Sequence, residues 1–232
     1  MNYPTGVFAG TTLIQQKGEF GGARSVFVKI QGNNKNDMVF PTFGAQLKNP
    51  FKGAAKIYAA DLFEIRYDEC GENPELYLLK TYEVESVSGM TVNIVRNGYR
   101  HIPFVGDKIG VAPEELGGAM TTATVTAVKE SKVGSVDVWA VTVDSSISAE
   151  KGDVLVEAGE DDKMVLKMIN GVAPCDYDCY YANATGATNE FNAARYYLAP
   201  AMHATAYICR MSPIPACVLK LNKSRMNGWY EL

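Results

Sequence analysis

Two runs of alternating β-branched residues, 121–129 (TTATVTAVK) and 136–144 (VDVWAVTVD), constrain this chain more than any other feature. Successive side chains of a strand point to opposite faces, so alternation of this kind predicts a sheet with one packed face and one wetter face. Ala123, Val125 and Ala127 are expected on one side, and Thr124, Thr126 and Val128 on the other. The stretch between the runs, Glu130-Ser-Lys-Val-Gly-Ser, has the length and polarity of a hairpin connection.

A weak internal echo frames this hairpin. Val105-Gly-Asp-Lys-Ile-Gly-Val-Ala resembles Lys151-Gly-Asp-Val-Leu-Val-Glu-Ala at a separation of 46 residues. Gly-Asp supplies a tight turn that tolerates positive φ, and the aliphatic residues after it re-enter a sheet. Two such turn-strand units around a hairpin predict a small β-barrel over residues 83–160, closed or partly closed so that sheet edges are removed.

Segments of similar character lie on both sides. Residues 54–65, 75–84 and 90–95 read as strands, as do 204–210 and 216–221, which the rigid Ser212-Pro-Ile-Pro turn divides. After an acidic turn the chain resumes at 164–169 and meets another turn pair, Asn170-Gly171. Residues 188–198 (TNEFNAARYYL) read as the one short helix, capped by Thr188 or Asn189 and stopped by Pro200. The expected fold is therefore mainly β: a small barrel, 83–160, inserted into a β-rich body made of 54–82 and 161–232. Residues 1–55 are rich in Gly, Asn, Pro and Thr, with one strand at 24–30, and read as an extended N-terminal arm. Phe40-Pro-Thr-Phe43 and Asn49-Pro-Phe51 set aromatics beside prolines, which hold the chain extended. Phe40, Phe43 and Phe51 are thus candidate contacts for a groove on the body or on a neighbouring subunit.

Composition narrows the partners. The chain has 22 Lys and Arg against 26 Asp and Glu, a net charge of −4, without the basic cluster that duplex binding requires. Five cysteines, an odd number, fit reduced thiols better than a secreted disulfide framework. The opening residues show no basic n-region followed by an apolar core, so no signal peptide is expected, and the apolar runs fall short of the roughly 20 residues that span a bilayer. The sequons at Asn183 and Asn222 then read as chance matches.

Residues that carry chemistry are sparse. His101 and His203 stand in no local pattern with a nucleophile or second ligand, and His101 is expected to be a hydrogen-bonded structural residue. Cys175-Asp-Tyr-Asp-Cys179 gathers two thiols and two carboxylates, yet lacks the second close ligand pair of a zinc site; no metal or cofactor is expected. Asp61, Glu64, Asp68 and Glu69 read as surface acids near a turn with Gly71 and Pro74. The phosphate-cradling patterns GxxxxGK[ST] and GxGxxG and the nucleophile elbow GxSxG are absent. No enzyme is expected.

The C-terminal run, Met211 to Leu232, is richer. Arg225, Met226, Trp229 and Tyr230 are residue types that either close a core or anchor a protein interface. With this run in view, the chain resembles capsid auxiliary or head-fibre proteins of crAss-like and related tailed phages. The resemblance rests on DLFEIRY, HIPFVGDKI, KGDVLVEAGE, RYYLAP and SPIPACVLKLNKSRMNGWYEL, and covers roughly residues 56–232. It implies a non-enzymatic virion protein, made in the host cytoplasm and placed on the capsid, whose partners are major capsid subunits and head-fibre proteins. Homo-oligomer formation stays open, and no membrane or specific nucleic-acid partner is implied. The alternative is a fibre module whose small barrel binds a carbohydrate or host surface.

Overall fold

The computed structural model describes residues 27–30, 45–67, 75–173, 176–179, 197–198, 204–207, 211–225 and 229–230. Strands dominate them. Six strands come from one continuous stretch: β6 (Thr81–Ser88), β7 (Thr91–Val95), β8 (Lys108–Val111), β9 (Thr122–Val133), β10 (Val136–Val143) and β11 (Val154–Glu157). Antiparallel ladders run in the order β10-β7-β6-β11-β8-β9, and β9 pairs back onto β10, so the sheet closes on itself. Tyr82, Val84, Val92, Ile94, Ile109, Ala123, Val125, Val141 and Leu155 share one core cluster inside this ring. The expected facing of Ala123 and Val125 is observed, both being buried while Thr126 is exposed. A register shift between Thr142 and Val143 breaks the alternation, so Val128 packs against the same cluster and not on the opposite face as expected. The hairpin itself is longer than the sequence implies. Its strands continue through Glu130–Val133, paired to Val136 and beyond, and only Gly134 and Ser135 turn. Gly134, at φ 60°, suits a two-residue hairpin turn, which needs positive φ that β-branched residues avoid.

A five-stranded sheet, ordered β12-β4-β5-β2-β14, comes from segments on both sides of the ring: β2 (Ala45–Leu47), β4 (Leu62–Arg66), β5 (Glu75–Leu78), β12 (Gly171–Val172) and β14 (Tyr197–Leu198). Only β2 and β5 run parallel in it. Both faces of this sheet are covered. Phe63, Ile65, Leu76 and Leu78 join one cluster with Leu47, Phe51 and Ile57, while Leu62 faces a second with Leu79, Met164, Leu166, Met211 and Val218. Strand β11 is the shared wall, since Leu155 points into the ring and Val156 into the second cluster. That two-sided burial explains why its sequence is a continuous aliphatic run. Two small ladders complete the description: β3 (Ala55–Ile57) with β13 (Tyr177–Cys179), and β1 (Phe27–Ile30) with β15 (Ala204–Tyr207), which also pairs parallel with β16 (Trp229–Tyr230).

Several expectations need correction. Residues 216–221 are not a strand but the start of α1 (Ala216–Arg225), the one helix among the described residues. Pro215 sits where a helix tolerates proline, and its carbonyl accepts from the amides of Val218 and Leu219. The region read as one strand over 54–65 is β3 and β4 separated by a turn. Residues 45–55 belong to the body and not to an arm, because β2 joins its sheet and Phe51 its core. Phe51 is only 1% exposed and cannot serve a neighbouring subunit. Asn170-Gly171 leads into β12 instead of turning, and residues 164–169 form no strand. Of the helix expected at 188–198, residues 197–198 lie in β14 and the rest fall outside the described residues.

Candidate functional site

One turn geometry occurs three times. The amides of Tyr58, Phe104 and Glu150 donate to Oδ2 of Asp61, Asp107 and Asp153, at 2.6, 2.8 and 2.8 Å. In return each aspartate amide donates to the carbonyl three residues back. The residue before each aspartate has positive φ: Ala60 at 73°, Gly106 at 87° and Gly152 at 92°. Each turn launches a strand, β4, β8 and β11 respectively. The internal echo in the sequence is thus two of three related turns. The third leaves no mark in the sequence because it carries alanine, which seldom adopts this conformation, in place of glycine.

The strained turn, 58–61, holds the most buried polar constellation described. Asp61 is 2% exposed, so it is no surface acid. Its Oδ2 also receives His101 Nε2 at 2.8 Å, and its Oδ1 accepts from Ser212 Oγ at 2.5 Å. His101 is 1% exposed, and its Nδ1 accepts from the amide of Thr81 at 3.1 Å. An acceptor at Nδ1 assigns the ring hydrogen to Nε2, where it meets the carboxylate. The ring packs between Phe51, tilted at 5.6 Å, and Tyr58, stacked at 6.2 Å. Asp176 reinforces the turn by accepting from the amide of Ala59 at 2.7 Å.

A second knot lies where the sheet meets the ring. Lys80, 1% exposed, donates to Glu157 Oε1 at 2.8 Å and to the carbonyl of Pro50 at 3.1 Å. Its ammonium also stands 5.1 Å from the centre of the Phe51 ring. Asn49 donates to Glu157 Oε2 at 2.7 Å and exchanges hydrogen bonds with the backbone of Leu78. Glu64, also expected at the surface, is 3% exposed and accepts from Arg66 at 2.9 Å and from the amide of Lys167 at 2.8 Å. Burial pushes the Tyr82 phenol well above its ordinary value, with the Asp107 and Glu157 charges adding to the effect. Burial likewise raises the Cys217 thiol, which disfavours the reactive thiolate.

Serine, histidine and aspartate meet here, but not as a hydrolytic relay. In that relay the imidazole stands between hydroxyl and carboxylate and takes the proton of the hydroxyl. Here the carboxylate is central, and both ring nitrogens are already engaged. What the constellation does is join four segments: the turn at 58–61, the start of β6, the loop bearing His101, and the segment before α1.

Asp61, Ser212, Lys80, Glu157 and Asn49 are the residues that sequence reading did not bring together. Their separations of 151, 77 and 108 residues leave no local signal. Among the candidate partner contacts, Phe40, Phe43 and Met226 lie outside the described residues. Arg225 ends α1, and Trp229 and Tyr230 form β16. Asp68, Glu69, Cys175 and His203 also lie outside the described residues, while Cys179 ends β13. No helix among the described residues is long and apolar enough to cross a membrane. No family model matches the chain, and neither a curated protein nor a solved structure matches it.

Proposed function

We propose that the chain is a structural virion protein, an auxiliary (decoration or cementing) component of a tailed-phage capsid that binds major capsid subunits and offers a seat for head fibres. The observation that carries this reading is the use made of buried polar side chains. Asp61, His101 and Ser212, and likewise Lys80, Glu157 and Asn49, are consumed in tethers between distant segments. Such knots fix geometry and favour a rigid scaffold over a site that must exchange protons with a substrate. Three stretches on which the phage resemblance rests carry these same tethers: DLFEIRY holds Asp61, HIPFVGDKI holds His101, and KGDVLVEAGE holds Glu157.

In this reading the closed ring is a small barrel domain, spanning 83–160, inserted into the β-rich body. Thr81 and Val156 pair in register, so the chain enters and leaves the ring at neighbouring points, as an insertion requires. The test is quantitative peptide mass spectrometry on purified particles. A fixed copy number relative to the main shell protein is expected. Recovery only as a free monomer, absent from finished particles, would refute the proposal. Glycan or host-surface binding without particle association would instead favour a fibre module.

A further inference from the structure

Thr81 opens β6 with its amide committed to His101, yet its hydroxyl has no hydrogen-bond partner among the described residues although the residue is 1% exposed. A buried hydroxyl left in that state is costly. Thr81 borders a recess of about 10 Å³, and Asp61 and Ser212 line the same recess. Leu62, Leu79 and Met211 form apolar walls. One water needs about 10–15 Å³ of such space together with two to four polar partners. The recess stands at the lower bound of that size.

Hydrogen-bonding capacity is available elsewhere in its lining. Ser212 Oγ gives its hydrogen to Asp61 Oδ1, which leaves lone pairs on the hydroxyl and one more on the carboxylate oxygen. Thr81 Oγ1 retains both a hydrogen and lone pairs. We infer that this recess binds one ordered water, which links the Thr81 hydroxyl to the Ser212–Asp61 pair. The water completes the knot from the ring side, and β6 is then held to the body through the Thr81 side chain as well as its amide. The inference is independent of the proposed capsid role, because it concerns only how the knot is satisfied.

A crystal structure of the full chain, at a resolution that orders internal waters, tests it together with equilibrium unfolding of Thr81→Val and Thr81→Ser. Density is expected within hydrogen-bond distance of Thr81 Oγ1 in the wild type and not in Thr81→Val. The folded-to-unfolded ratio should fall about fivefold in Thr81→Val, the loss of one modest hydrogen bond, whereas Thr81→Ser, which loses about fourfold through its deleted buried methyl, should keep the density. A dry recess in the wild type overturns the inference by itself. So does a Thr81→Val protein that is as stable as the wild type or more so, since valine would then have removed only an unpaired hydroxyl.

Discussion

Replacing Asp61 by asparagine keeps the volume of the side chain and removes one acceptor from the centre of the knot. Three donors converge on the two oxygens: the Tyr58 amide and His101 Nε2 on Oδ2, and Ser212 Oγ on Oδ1. The single remaining carbonyl is best kept by the pair of donors, which turns the new NH2 group toward Ser212. That hydroxyl must then rotate to accept, and its own hydrogen loses the carboxylate. Hydrogen bonds to a charged group contribute about 1.5–3 kcal/mol each and neutral ones about 0.5–1.5. Two bonds weakened and one reversed amount to a loss of about 2–3 kcal/mol for Asp61→Asn. Asp61→Ala strips all three donors at once and should cost above roughly 4 kcal/mol, in the range reserved for broken buried networks. Urea unfolding followed by circular dichroism measures both, and a cycle with Ser212→Ala isolates one arm, with a coupling expected at about 1–2 kcal/mol. The reasoning fails if Asp61→Asn lies within about 0.5 kcal/mol of the wild type, or if the losses of Asp61→Ala and Ser212→Ala simply add.

Lys80→Met should cost about 2–3 kcal/mol in the same assay, less than the usual 3–5 for a broken buried pair because the side chain of Glu157 keeps 16% of its exposure; no loss would mean that the knot is not a tether. Tyr82→Phe removes a buried hydroxyl with no partner among the described residues, so stability at neutral pH should stay level or rise by up to about 1 kcal/mol. The phenol is held above its ordinary value of 10.0 in the fold, so unfolding releases a proton once pH exceeds that value, and stability falls as pH rises further. Tyr82→Phe should flatten this alkaline slope, and an unchanged slope would contradict the burial. Ala60, at φ 73°, should tolerate glycine within about 1 kcal/mol, since relief of backbone strain offsets the lost methyl; Ala60→Val should cost about 2 kcal/mol or more, and equal stability of the two variants would place the strain elsewhere.

What the sequence disclosed follows the range of the forces involved. Alternation over 121–144 is a local record of one wet and one dry face, and β9 and β10 lie where it points. Gly106 and Gly152 likewise mark their turns, because glycine is the residue that positive φ selects. Tyr58-Ala-Ala-Asp61 makes the same turn through tertiary support from Asp176 and His101, which no local pattern registers. Helix α1 resembles a strand in sequence for a related reason. Val218, Leu219 and Leu221 are apolar enough for a strand, whereas Pro215 at the first turn and Lys220, Lys223 and Arg225 toward the end are helix signals. Asp61 and Glu64 looked like surface acids because their partners, Ser212 and Lys167, stand more than a hundred residues away.

The in-register pairing of Thr81 with Val156 also bears on how the chain reaches its native state. Once that ladder forms, the whole excursion between them behaves, for the flanking segments, as a connection of a few residues. Shrinking a tether from that length to a few residues is roughly four halvings, which lowers the entropic cost of closing it by about 2.5 kcal/mol. Strand β4 therefore meets β12 across a much shorter effective contour than their numbering implies.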